Sequence, residues 1–167
     1  LQIAQGELWA TSTRPHGLVR IDPGGLSLLG RVPLPGRAVD LVSFEGDVWA
    51  LSWEGRRGRS GSMLAVQSAT GNRGATHRLF GRRPQAAVAV ADGILVASAP
   101  PGKASDTSIQ RLDPSSGALR PGLPRPGWCV DQLAVTPRWV LATMSIGVGA
   151  PGTQEQAVGA GAELGGT

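Results

Sequence analysis

Arg20-Ile21-Asp22-Pro23-Gly24-Gly25 returns later in the chain as Arg111-Leu112-Asp113-Pro114-Ser115-Ser116-Gly117. A more altered version, Val66-Gln67-Ser68-Ala69-Thr70-Gly71, lies between them. Aligned on Gly25, Gly71 and Gly117, the phrase recurs every 46 residues. A fixed step of that size marks a repeat architecture, in which each unit buries its apolar surface only against a neighbour. Counted from the first copy, Ser68 falls opposite Asp22, so the middle copy loses its aspartate and no proline follows.

The flanks of the phrase repeat as well. Upstream, Glu7-Leu8-Trp9-Ala10-Thr11-Ser12 is matched by Asp47-Val48-Trp49-Ala50-Leu51-Ser52. Downstream, residues 26–34 read as a strand that stops at Pro35-Gly36. The segments 1–5, 7–12, 17–21 and 26–34 form one cycle of short apolar runs separated by turn residues. A second cycle runs through 38–44, 47–52, 62–68 and 75–80, and a third through 85–91, 93–98, 107–113 and 118–123. A fourth begins with 130–136 and 138–144. Helical periodicity is absent, so the fold class is all-β. Four antiparallel strands in roughly 40–46 residues make the blade of a β-propeller.

The expected blades are 1–36, 37–83, 84–127 and a partial 128–144, about three and a half in all. Residues 145–167 are rich in Gly and Ala and read as a disordered tail. Such a chain is expected to be part of a propeller, or to close by pairing with another copy. Trp9, Trp49, Leu95 and Trp139 hold the bulky position of the second strands, where they are expected to pack between blades.

The strings GELWAT, GLVRIDPGG, LLGRVPLPG and GDVWALS resemble the blades of bacterial YVTN, NHL and streptogramin-lyase-like propellers. The likeness covers residues 1 to about 144. It implies blade architecture and an extracytoplasmic setting. It does not select an activity, because such propellers include enzymes, sensors and binding scaffolds.

Composition narrows the classes further. The 167 residues are 41% hydrophobic, enough for a core, and no stretch approaches the ~18 apolar residues of a membrane helix. Net charge is +4, and all but one of the 16 basic residues are Arg. That charge permits contact with anions, but the absence of Tyr and the two Phe leave little for base stacking, so nucleic acid is an unlikely partner. The single Cys129 excludes an intrachain disulfide and any multi-cysteine metal site. The chain opens on Leu1, which reads as a processed or excised product.

In a propeller the loops that join one blade to the next, and the second strand to the third, rim one end of the channel. Those loops carry Arg37, Asp40, Arg82, Arg83, Gln85, Trp128 and Asp131 in one set. The other set carries Arg14, His16, Trp53, Glu54, Arg56, Arg57 and Asp106. The candidate ligand-binding residues are Asp40, Asp131, His16, Arg37, Trp53, Arg56, Arg57 and Trp128. Asp40 and Asp131, 91 residues apart, are expected in register, where two carboxylates could hold a cation or a hydroxyl. Their alternative role is capping backbone amides. Arg56, Arg57 and Arg59 form either an oxyanion-docking patch or a solvated loop.

The likeness to streptogramin lyases invites a search for His and Glu around a metal, but His16 and His77 fall on different parts of the blade. No nucleophile elbow, dinucleotide fingerprint, P-loop or metalloprotease spacing occurs. Cys129 would be reactive only if a cation lowered its pKa, and otherwise packs. The expected function is a non-catalytic binding or sensing scaffold for a small-molecule or protein ligand, without a cofactor. The alternative is a fragment of a propeller enzyme whose catalytic residues lie on other blades.

Overall fold

The computed structural model describes residues 1–54, 60–80, 82–100, 102–103, 105–125, 127–146 and 162–163. Every regular element among them is a strand. The first sheet holds β1 (Gln2–Ala4), β2 (Glu7–Thr13), β3 (His16–Ile21) and β4 (Leu28–Pro33). The second holds β5 (Arg37–Phe44), β6 (Asp47–Glu54), β7 (Ser60–Gln67) and β8 (Arg73–Phe80). The third holds β9 (Arg83–Val90), β10 (Gly93–Ala99), β11 (Thr107–Leu112) and β12 (Leu119–Arg125). The fourth holds β13 (Trp128–Val135), β14 (Trp139–Ile146) and β15 (Ala162–Glu163). Of the Gly/Ala-rich stretch expected as a tail from residue 145, only 145–146 and 162–163 are described; the remainder lies outside the described residues.

Strand order follows chain order in every sheet, and each pairing is antiparallel. The sheets stack face to face and bury each other's side chains. Trp9, Leu18 and Val32 of the first sheet pack against Val48, Ala50, Leu64 and Val66 of the second. The other face of the second sheet sets Trp49, Leu51 and Met63 against Ile94, Val96 and Leu112 of the third. Beyond it, Ala97 of the third sheet meets Val130 and Ala142 of the fourth. β1, β5, β9 and β13 form the inner edge: β5 lies against β9, β9 against β13, and β1 against β5. The first and fourth sheets do not close on each other, so the arrangement is an incomplete propeller of stacked blades.

The repeated phrase is the turn between third and fourth strands, and its chemistry explains its recurrence. The Asp22 carboxylate accepts the amides of Gly24 and Gly25, at 3.1 and 2.9 Å. Asp113 accepts the Ser115 hydroxyl at 2.7 Å and amide at 2.9 Å, with the Ser116 amide at 3.3 Å. The Ser115 and Ser116 bonds hold the Asp113 carboxyl well below the usual carboxylate range. The middle copy corrects the expectation that Ser68 replaces the aspartate. The amides of Asp22, Gln67 and Asp113 each donate to the carbonyl five residues on, so Gln67 is the equivalent residue. Thr70 donates its hydroxyl to the Gln67 side chain and accepts the Asn72 amide, a neutral substitute for the aspartate bonds. The closing position is left-handed, with φ 73° at both Gly71 and Gly117. In the first copy that position belongs to Leu26, at φ 52°, and not to Gly25. One residue fewer there breaks the 46-residue count.

Side chains also tie neighbouring blades. Arg20 grips Glu7 through two bonds of 2.6 and 2.8 Å, lies 5.6 Å from the Trp9 ring centre, and reaches the Ala69 carbonyl of the next turn at 3.3 Å. That hydrogen-bonded pair lowers the Glu7 pKa and raises that of Arg20. His77 stacks on Trp49 at 5.7 Å and bonds the Pro114 carbonyl at 2.7 Å in the turn of the third blade. Trp9, Trp49 and Leu95 are buried between blades as expected. Trp139 is not their equivalent. It opens β14 beside Thr136 and is 39% exposed, and the matching position is Leu141.

Candidate ligand pocket on the inner edge

Each inner strand of the last three blades carries one residue too many for its partner. On β5 the pairing passes from Ala38 to Asp40, on β9 from Pro84 to Ala86, and on β13 from Val130 to Gln132. Val39, Gln85 and Asp131 are thus the bulged residues, spaced 46 apart. A bulge kinks its strand and re-aims the side chains beside it.

The three bulges converge on one open cavity of about 430 Å³. Its wall is built of three matching triplets: Arg37-Ala38-Val39, Arg83-Pro84-Gln85 and Cys129-Val130-Asp131. Trp53 and Ser145, the partners of Arg37 and Cys129 on the second strands, complete the lining. Pro84 reaches its place because β7 carries Gly61 opposite it. A Cβ there would fall 2.8 Å from the proline ring.

Arg83 lies over the Trp53 ring at 4.4 Å from its centre, a cation–π contact that fixes the guanidinium at the cavity wall. The neighbouring Arg82 has a different task, donating to the Ser108 hydroxyl at 2.6 Å and to the Ser98 carbonyl at 3.4 Å within the blade. Neither Arg37 nor Arg83 is ion-paired among the described residues. Asp131 accepts the Ser145 hydroxyl at 3.2 Å. Burial, and then the Asp131 charge, push the Cys129 thiol up, and Arg83 only partly opposes them. Burial and that charge both act against formation of the thiolate, the form in which a cysteine is nucleophilic.

The sequence-expected residues divide accordingly. Arg37, Trp53 and Asp131 come together in this cavity. Asp40 does not join them. It lines a second cavity of about 580 Å³, with Leu1, Gln2, Ala87 and Gln132, further along the inner strands. Its carboxylate accepts the Leu41 amide at 2.8 Å and, across to β9, the Ala87 amide at 3.0 Å. Asp40 is thus an amide cap linking two blades. Its register mates are Ala86 and Gln132, whereas Asp131 matches Val39, so the expected Asp40–Asp131 pair is one residue out of step. His16, exposed at the start of β3, and half-buried Trp128, bridged to Asp106, line neither cavity. Arg56 and Arg57 lie outside the described residues. Among the described residues no three of His, Cys, Asp and Glu gather as a metal would require, and no helix is long and apolar enough to cross a membrane. The residues expected to bind ligand did not include Arg83, Gln85 or Cys129. The available signal was the shared spacing of Arg37, Arg83 and Cys129, which is that of the repeat.

No family model matches the sequence, and no curated protein matches it. Solved structures do. A europium-containing methanol dehydrogenase superposes with a TM-score of 0.54 at 12% identity, covering 84% of this chain and 24% of its own. A protein assigned as a 6-phosphogluconolactonase from Bacteroides uniformis superposes with a TM-score of 0.57 at 20% identity, covering 95% of this chain and 56% of its own. The shared feature is the fold. This is a β-propeller left open. The chain spans about a quarter and about half of the lengths of these two neighbours.

Proposed function

We propose that this chain is a non-catalytic β-propeller binding or sensing scaffold whose ligand occupies the bulge-lined cavity on the inner edge. The observation that carries the reading is the convergence of three register-matched triplets on one cavity of about 430 Å³. That volume suits a small molecule or the exposed tip of a protein ligand. Burial and the Asp131 charge, which push the Cys129 thiol up, do not favour it as a nucleophile. The likeness to YVTN and NHL blades is in keeping with a scaffold, and we extend it to an extracytoplasmic setting.

A plug tests the proposal. Val39→Trp fills the cavity from one bulge while leaving the sheet pairing intact. Small molecules of anionic, neutral and cationic character are screened by thermal shift against both proteins. We expect stabilising compounds that lose their effect on the plugged variant and are recovered unchanged after incubation. Compounds that stabilise both proteins equally would move the ligand site elsewhere. Conversion of a bound compound would make the scaffold an enzyme.

A further inference from the structure

We infer that the cavity recognises an oxyanion, a phosphate or carboxylate group, held between Arg37 and Arg83 on a small molecule that also carries hydroxyls. This inference deepens the binding reading above and rests on it.

The two arginines occupy the same rung of adjacent inner strands, each the first residue of its triplet. Both open into one cavity, and neither is neutralised by an acidic partner among the described residues. A guanidinium presents a planar fork of donors that matches the oxygens of a carboxylate or phosphate, and two forks on one rung can share one anion. Arg83 is already oriented, because its stacking on Trp53 holds the guanidinium plane and lowers the entropy lost on binding. On the third triplet, Asp131 supplies the single carboxylate of the wall, kept in place by the Ser145 hydroxyl. A carboxylate there accepts hydroxyl protons and repels a second anionic group. The cavity therefore favours a ligand with its charge at one end and alcohol groups at the other. Cys129 fills on its strand the rung that arginine holds on the other two, so the positive wall stops at two residues.

Isothermal titration of the full chain at low salt decides the matter, with inorganic phosphate, succinate and sorbitol as separate probes. We expect phosphate or succinate to bind, to weaken as salt rises, and to lose at least tenfold in affinity in Arg37→Gln and again in Arg83→Gln. Arg31→Gln, an exposed arginine on β4, should bind as the parent does. Phosphate and succinate separate the two anion sources. Melting curves identify any variant that has lost its fold, and the salt dependence of the parent protein stands without variants. Oxyanion binding that ignores both substitutions, or no oxyanion binding at all, overturns the inference. Sorbitol binding that the Val39→Trp plug abolishes, with both oxyanions silent, overturns the anion assignment and leaves the scaffold reading intact.

Discussion

Leu26 and Gly117 hold the same corner of the repeated turn with opposite costs. Gly117 sits at φ 73° without a side chain to clash, and a Cβ there would run into the His77 ring that bonds the neighbouring Pro114. Leu26 sits at φ 52° with a branched, 76%-exposed side chain that gains little from burial. The left-handed region costs an ordinary residue about 1–2 kcal/mol. We expect Gly117→Ala to lower stability by at least about 1 kcal/mol, and Leu26→Gly to be neutral or to raise it by up to about 1 kcal/mol. Urea unfolding of the two variants measures both. Equal losses would remove the equivalence of the two turns. Gly25 looks like the counterpart of Gly117 in the sequence because it is a glycine in the right phrase. Its neighbour took the strained conformation instead, and composition carries no trace of that exchange.

At the level of strands, the order and nearly all the boundaries were legible. Asp-Pro, Gly-Gly and Pro-Gly turns interrupt apolar runs at regular intervals, and a short antiparallel strand leaves few other readings. The bulges were not legible. An inserted residue changes which side chain faces the channel without changing hydrophobicity, so Asp40 and Asp131 looked equivalent. The arginine cavity was half visible, since Arg37, Trp53, Asp131 and also Arg83 follow from loop position, but only the bulge spacing sets Arg83 apart from its neighbour Arg82. The second-strand tryptophans were read well. Trp9 is fully buried and Trp49 is 5% exposed, each within an inter-blade cluster. Trp49→Ala should cost roughly 3–5 kcal/mol in chemical denaturation, with Trp9→Ala in the same range. Trp49 also loses its stack on His77, so the tie to the third blade should loosen with it. A cost under about 1 kcal/mol at Trp49 would mean that the second and third blades are not held by this cluster.

The whole molecule is a stack with two ends. Ile3, Leu8, Ile21 and Leu28 stand opposite one another across the first sheet, on the face turned away from the second. Ile3 and Leu28 are exposed. At the other end Leu141 is 41% exposed, whereas its equivalents Leu95 and Trp49, covered by a following blade, are 9% and 5% exposed. The two open faces have the same polarity as a pair of faces that meet inside the stack. We expect the 167-residue chain to self-associate end to end, with light scattering showing mass that rises with concentration and falls in Ile3→Asp. A monomer at every concentration, melting cooperatively, would show that these faces are tolerated in water.

The bulge is a property of how the strands pair, since valine, glutamine and aspartate all occupy it. That makes the bulged residue an interchangeable letter in a fixed slot. A blade copied by gene duplication inherits the slot ready-made, and drift in three codons is enough to rewrite what the channel says to a ligand. Writing arginine at residue 129 alone would add a third guanidinium to the wall, on the rung that Arg37 and Arg83 hold on the other two strands.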